Sequence, residues 1–363
     1  MTLPSSGTLS FSEIETEFGS NGNRSMSRYR ANSIHFSNKT FADIGRITEG
    51  GYLPLDDGIP RTGTIKFSDF HGKSLNVVVN CWSADGETVD AKSDKWDAND
   101  VSVVGGYRGK KESGSKIIIH VNRTFKSVNS TSANLCALKT GNWSGISGMR
   151  VDLGDEARLY GAGGHGGAGA DGGNEPGDPG QPGNSGLGIQ VNNTTVNIKS
   201  GAQIKMGYGG GGGGGSARDE DPGADRTAGG GGGGGGAGLP GGEGGSGGTE
   251  GSDSGNSSHS GGGGGSDGDT PAGGEESGGG GSGGNNDGEA VGGSGGRGGD
   301  QENAAGTGGD SNKGEEGGSA GGNGSAIRKA NDEIAYTFSE SGSETGGTAN
   351  TGSESGGSHI GVA

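Results

Sequence analysis

Apolar residues come along this chain in short bursts, and then they stop. Val77-Val78-Val79 and Ile117-Ile118-Ile119 are β-branched runs bounded by polar clusters, and Val101, Val103 and Val104 mark another strand. Two later bursts share one phrase. Val151, Leu153, Ala157 and Leu159 precede Gly161, and Val196, Ile198, Ala202 and Ile204 precede Gly207, with the same spacing among the four apolar residues in both copies. Ala326-Ile327 and the alternating Ile334-Ala335-Tyr336-Thr337-Phe338 predict a closing strand. Between Tyr208 and Tyr336 there is no Phe, Trp or Tyr, so no ordinary core can form there.

Glycine fills that gap, in tracts such as 209–215, 229–236, 261–265 and 278–281. Two states are open to such a run: a flexible coil, or backbones packed directly on backbones. A polyproline-II-type helix has three residues per turn and no internal hydrogen bonds, so its N–H and C=O groups point outward on all sides. Several can bond to one another when their axes come very close, which only glycine permits. A nine-residue tract would span roughly 28 Å. The strict spacing of Gly177, Gly180, Gly183 and Gly186 suits a threefold helix. On this reading the polar inserts become the turns of a slab.

Composition narrows the function. The chain has 363 residues, 95 of them Gly, and a net charge of −17. Such acidity argues against nucleic acid and anionic membrane surfaces as partners. Cys81 and Cys136 are too few for a disulfide framework; one bridge or two buried thiols are both open. No signal peptide or membrane-length apolar run is visible, which predicts synthesis in a cytoplasm and no membrane insertion. Trp82, Trp96, Trp143, Phe125 and Tyr107 suit the core of a small β-sandwich, with exposed, sugar-stacking Trp96 and Trp143 as the alternative.

The first 74 residues carry a repeated phrase. Pro4-Ser5-Ser6-Gly7-Thr8-Leu9-Ser10-Phe11-Ser12-Glu13 aligns without a gap on Pro60-Arg61-Thr62-Gly63-Thr64-Ile65-Lys66-Phe67-Ser68-Asp69. Ser12 and Ser68 are placed as helix caps ahead of an acidic residue. Ser25 to Arg30 predicts another short capped turn. With its ending Phe67-Ser68-Asp69-Phe70-His71-Gly72, this unit resembles a small module found in many tailed-phage tail and fibre proteins. The glycine-rich stretch is similar, in composition and architecture, to the distal regions of phage receptor-binding proteins, the tail-fibre adhesins of T-even-like phages among them.

The resemblance implies a mainly β protein with irregular structure. It would comprise a small α/β tail-attachment module (1–74), a β-sandwich connector (75–150), a polyglycine-II helix sandwich with flanking strands (151–342) and a flexible end (343–363). It implies a non-enzymatic tail component whose partners are other tail proteins, through 1–74, and a host bacterial surface protein or glycan. Candidate receptor-binding residues are Arg218, Asp219, Glu220, Asp221, Asp225, Asp253, Asn256, His259, Asp267, Asp269, Asn285, Asn286 and Asp287, within inserts that include Asp310 to Glu316. These inserts lack the aromatics expected of adhesin loops, which favours polar contacts over carbohydrate stacking. Whether one chain closes its own slab or three share one stays open. The runner-up is a structural tail protein with the glycine region as spacer.

Enzyme chemistry finds no footing in the sequence. No phosphate-loop or G-x-S-x-G motif is present, the six histidines are scattered, and the carboxylates sit in solvated inserts. No cofactor is implied. Calcium can be tested against the β-roll repeat G-G-x-G-x-D-x-U-x. Gly166 to Asp171 and Gly262 to Asp267 match its first six positions, but Gly173 and Asp269 stand where the large apolar residue belongs.

Overall fold

Both N-terminal phrases turn on a glycine in the left-handed region: the aligned Gly7 and Gly63 have φ of 93° and 74°. Our computed structural model describes residues 3–18, 25–29, 59–60, 63–73, 77–81, 89–90, 95–97, 107–109, 116–121, 124–127, 135–141, 143, 145–154, 156–198, 202–221, 224–249, 259–260, 263–266, 268, 277–286, 290–300, 304–329 and 336–340. The expected strand at 101–104 and the expected flexible end over 343–363 lie outside them.

After each glycine an acidic side chain folds back on the backbone. Ser10 N donates to Glu13 Oε2 and Lys66 N to Asp69 Oδ2, both at 2.7 Å. Ser10 Oγ accepts the Glu13 N–H at 3.2 Å, which makes Ser10 the cap of α1 (Phe11–Phe18). Ser12 is therefore not the cap, and Ser68 lies inside its own turn. The carboxylate reaches back three residues, so the cap falls at 10 and 66. The Ser10 N–H, and then its hydroxyl, hold the Glu13 carboxyl below its ordinary value. The second phrase makes only a 3-10 turn, Phe67–Phe70, and another spans Met26–Tyr29. Leu3, Leu9, Ile14, Tyr29, Ile59 and Phe70 form the core of this unit. Its ends close on each other through Leu3 N to Lys73 O (2.8 Å) and Gly72 N to Pro4 O (2.9 Å).

Downstream, the chain winds. The strands are β1 (Val77–Cys81), β2 (Val89–Asp90), β3 (Lys95–Asp97), β4 (Tyr107–Gly109), β5 (Lys116–Val121), β6 (Thr124–Lys126), β7 (Cys136–Lys139), β8 (Gly148–Leu153), β9 (Arg158–Tyr160), β10 (Ser185–Ile189), β11 (Thr194–Ile198) and β12 (Gln203–Lys205). There follow β13 (Ala217–Asp221), β14 (Ala224–Ala228), β15 (His259–Ser260), β16 (Asn285–Asn286), β17 (Ala290–Val291), β18 (Ile327–Lys329) and β19 (Tyr336–Glu340). Three sheets have the orders β19-β11-β8-β5-β1-β4, β12-β9-β6-β2 and β18-β10-β7-β3. All their pairings are parallel save β1 with β4.

Each turn of chain thus lays one strand on each of three faces. The turns are β1-β2-β3, β5-β6-β7, β8-β9-β10 and β11-β12-β18, with β19 beginning the next. This is a three-faced β-solenoid whose like residues stack: Ile119 on Val151 on Val196, Phe125 on Leu159 on Ile204, Leu138 on Leu187 on Ile327. All belong to one buried core.

The sequence expectation of a β-sandwich over 75–150 is corrected here. Sequence neighbours lie on different faces, and each strand pairs one turn away, including turns beyond residue 150. The closing segment is likewise two strands, β18 on the third face and β19 on the first. Phe125 is core, and buried Trp143 donates Nε1–H to Thr140 O at 2.8 Å. The side chains of Trp82, Trp96, Tyr107 and Cys81 lie outside the described residues. Cys136 is a buried free thiol.

Two glycine-rich excursions leave the solenoid at the same corner, one between β9 and β10 and one between β12 and β18. Among the described residues they form ten extended tracts: 161–172, 177–184, 207–216, 229–238, 240–249, 263–266 with Gly268, 277–284, 292–300, 304–310 and 315–325. Backbone bonds between tracts recur every third residue. Gly177, Gly180 and Gly183 donate to the carbonyls of Glu316, Ser319 and Gly322, and Gly230, Gly233 and Gly236 to those of Ala170, Gly167 and Gly164. That is the period of a threefold helix.

Tract 207–216 bonds to six neighbours, and tract 229–238 to six, so the array has layers of three, four and three. From Gly209 to Gly215 and from Gly229 to Gly236, every added Cβ would meet backbone. A Cβ on Gly210 would lie 2.0 Å from His165 O, and one on Gly233 2.1 Å from Gly211 O. The outer tracts have free positions, and Gln181, Glu243, Ser246 and Ser319 occupy them. All of these inter-tract bonds run within the one chain.

Candidate functional site

Tract direction decides where each polar insert goes. The tracts begin at the solenoid: Ala162 N donates to Ser127 Oγ (2.7 Å), as does Asn184 Nδ2 (3.2 Å). Following the chain out and back, the returns at 173–176 and 311–314 and the strands 217–221, 224–228, 285–286 and 290–291 all fall at the far end. So does β15, which pairs with β14, Thr227 opposite His259. The Leu239-Pro240 return falls at the near end, as do Gly268 and Gly278, which bond to Gly242 and Gly235.

The candidate residues are sorted accordingly. Arg218, Asp219, Glu220 and Asp221 lie on β13, Asp225 on β14, His259 on β15, and Asn285 and Asn286 on β16. All eight reach the far end. Asp253, Asn256, Asp267, Asp269 and Asp287 lie outside the described residues. The flanks of the 267–270 insert are at the near end.

β13 and β14 form an antiparallel hairpin with Asp219 opposite Arg226. It packs on β16 and β17 over a small core of Ala217, Ala228 and Ala290. The neighbouring returns are tied to it. Arg218 N donates to Asn174 Oδ1 at 2.6 Å, and Lys313 Nζ pairs with Asp219 Oδ1 at 3.1 Å. Asn312 joins the next loop, accepting Val291 N–H on Oδ1 at 2.9 Å and donating its own N–H to Val291 O at 3.0 Å. Sequence reasoning missed Asn174; Lys313 falls within the expected Asp310 to Glu316 insert but was not singled out. Asn174, at φ 59°, follows Gly172-Gly173, a turn signal that was legible. The result is a polar face of mixed charge, suited to hydrogen bonds and ion pairs. Among the described residues no group of three or more His, Cys, Asp or Glu could hold a metal ion.

Gly166 to Asp171, which partly matched the calcium repeat, is a tract of the array. Asp171 Oδ1 accepts the Thr249 N–H (2.6 Å) and hydroxyl (2.7 Å) and so locks two tract ends. Those bonds, the backbone one first, hold its carboxyl below the ordinary 3.8. The folded value is the lower one, so this stabilisation is present above 3.8 and is lost as pH falls through the folded value. Carboxyl titration by NMR should give Asp171 a midpoint below 3.8, with the Thr249 amide following it. A midpoint at or above 3.8 would contradict the lock.

With this geometry in view, comparison with known proteins gives a family. The family model described as phage tail fibre adhesin Gp38 matches residues 87–277, more than half of the chain. The chain belongs to the phage tail fibre adhesin Gp38 family and is a component of the virion tail. A similar solved structure is the crystal structure of the gp37-gp38 adhesin tip complex of the bacteriophage S16 long tail fiber. It is 17% identical, at a TM-score of 0.35, over 94% of this chain and 99% of that one. No curated protein matches the chain. No helix among the described residues is long and apolar enough to cross a membrane.

Proposed function

We propose that the far face of the glycine array binds a host bacterial surface component, by contact and without turnover. One observation carries this reading. Returns from separate parts of the chain are brought to one end of a backbone-bonded array and tied there by Asn174, Asp219, Asn312 and Lys313. A spacer needs no such ties between its returns. Rigid presentation lowers the ordering cost of binding, and several copies per virion would multiply weak contacts. The polar, mixed-charge chemistry suits a protein loop or a glycan bound through its hydroxyls.

Attachment to other tail proteins falls to residues 1–74. Their described part closes on itself and leaves Phe67 exposed beside Phe11, ring centroids 6.3 Å apart. Synthesis in the host cytoplasm completes the proposal.

The test is staining of a bacterial panel with labelled protein, beside a variant with residues 218–225 replaced by a glycine-serine turn. The whole protein should stain particular strains. The variant, melting as before, should bind roughly 30-fold more weakly, the equivalent of a 2 kcal/mol hot spot. Equal staining by both would favour the spacer reading and remove the far face from the binding site.

A further inference from the structure

One flank of the glycine array carries a ladder of side-chain caps that is interrupted at its middle level. Tracts 161–172 and 240–249 run side by side there. Gly163, Gly166, Gly169 and Gly172 donate to the carbonyls of Pro240, Glu243, Ser246 and Thr249. Most positions on these tracts face other tracts. A Cβ on Gly164 would lie 1.9 Å from Gln181 O, one on Gly166 1.9 Å from Gly233 O, and one on Gly245 2.1 Å from Gly167 O. Every third position faces outward: His165, Ala168 and Asp171 on the first tract, Glu243, Ser246 and Thr249 on the second. Successive levels are about 9 Å apart.

At two levels the outward N–H of the second tract is capped by a side chain of the first, at a constant offset of 78 residues. Glu243 N donates to His165 Nδ1 at 3.2 Å. Thr249 donates both its N–H (2.6 Å) and its hydroxyl (2.7 Å) to Asp171 Oδ1. The same offset pairs Ser246 with residue 168, and that residue is alanine. Ser246 is exposed and accepts the Gly169 N–H on its carbonyl at 2.9 Å. Its own N–H and hydroxyl have no acceptor among the described residues. Thr249 thus displays, one level away, how this backbone holds an oxygen atom, with N–H and O–H converging on it. Ser246 offers the same two donors beside the methyl group of Ala168.

Charge selects the acceptor. Asp178, whose N–H bonds to Ala168 O at 2.9 Å, stands exposed on the other side, and Asp171 and Glu243 each lie one level away. Carboxylates on three sides disfavour an anion. A neutral carbonyl with a small apolar group beside it fits, and an acetamido group has that form. Its oxygen takes the Ser246 donors, its methyl covers Ala168, and its N–H is a donor for Asp178.

We propose that the flank between Ala168 and Ser246 binds the acetamido group of an N-acetylated amino sugar. The site lies midway along the array and is separate from the far face. One such contact is weak, with a Kd on the order of 1 mM for a monosaccharide, and gains strength from several copies per virion.

Titration of the whole protein with N-acetylglucosamine, followed by amide NMR, tests this. The Ser246 amide should shift saturably. Glucose, which lacks the carbonyl, and glucuronate, which brings a charge, should bind at least about fivefold more weakly. Ala168→Asp should cap Ser246 from within the chain, on the pattern of Asp171, and abolish binding with melting unchanged or raised. Ser246→Ala removes the hydroxyl alone and should weaken binding about fivefold. It decides alone if Ala168→Asp fails to fold. The variant with residues 218–225 replaced should bind the sugar as the whole protein does. A Ser246 amide that does not move, equal binding of glucose or glucuronate, unchanged binding in Ser246→Ala or a folded Ala168→Asp, or loss of sugar binding in the 218–225 variant would overturn the proposal.

Discussion

Replacing Gly210 by alanine will unfold the glycine array, whereas the same change at Gly322 will leave it standing. Gly210 lies in an inner tract, where a Cβ would sit 2.0 Å from His165 O and 2.4 Å from its carbonyl carbon. Nothing flexible is there to give way, because the neighbours are backbone on every side. Overpacked side-chain cores lose about 1–3 kcal/mol because they can shift; a backbone array bonded on all sides should lose at least about 3 kcal/mol. At Gly322 a Cβ meets nothing within 4 Å. There alanine only restricts the unfolded chain, which is stabilising by about 0.4–1 kcal/mol. Thermal melting and protease resistance of the two variants decide the matter. Equal behaviour would mean that the inner tracts are not closely packed.

Phe125→Ala should take the array down together with the solenoid. Phe125 is fully buried, stacked on Leu159 and through it on Ile204. Deleting such a ring costs about 3–5 kcal/mol. Both glycine excursions start and end on solenoid strands, and Ser127 holds the two ends of the first, at Ala162 and Asn184. Losing the strands frees the tract ends, and bonds that recur between ten tracts then have no fixed register. Circular dichroism should therefore show one transition at lower temperature, with cleavage in the 217–228 hairpin appearing over the same range. Two separated transitions would mean that the array holds itself together.

Part of this architecture was legible in the sequence. The phrase Val151-Leu153-Ala157-Leu159 and its copy are successive solenoid turns, in register strand for strand. The preceding turn, Ile119-Val121 with Phe125, escaped notice because the corner between β5 and β6 is shorter, which breaks the spacing. Without a third copy, the parallel winding read as a sandwich. The threefold glycine spacing at 177–186 did announce its bonding period. The ends of the array were not legible. Whether an insert faces out or in depends on how many tracts precede it, and composition does not count tracts. Hence Arg218 and Asn285 share an end, while the flanks of the 267–270 insert lie at the other. Lys313 pairs with Asp219 across a sequence gap that no local pattern spans.

The three-residue recurrence of the inter-tract bonds also limits how this protein can change in length. A one-residue insertion in tract 207–216 would rotate everything after it by a third of a turn and break its match with all six neighbours. Three residues restore the match and lengthen the tract by about 9 Å. The array therefore behaves like a screw thread: descendants of this gene can grow taller or shorter in whole pitches, while the returns at its end are free to drift one residue at a time.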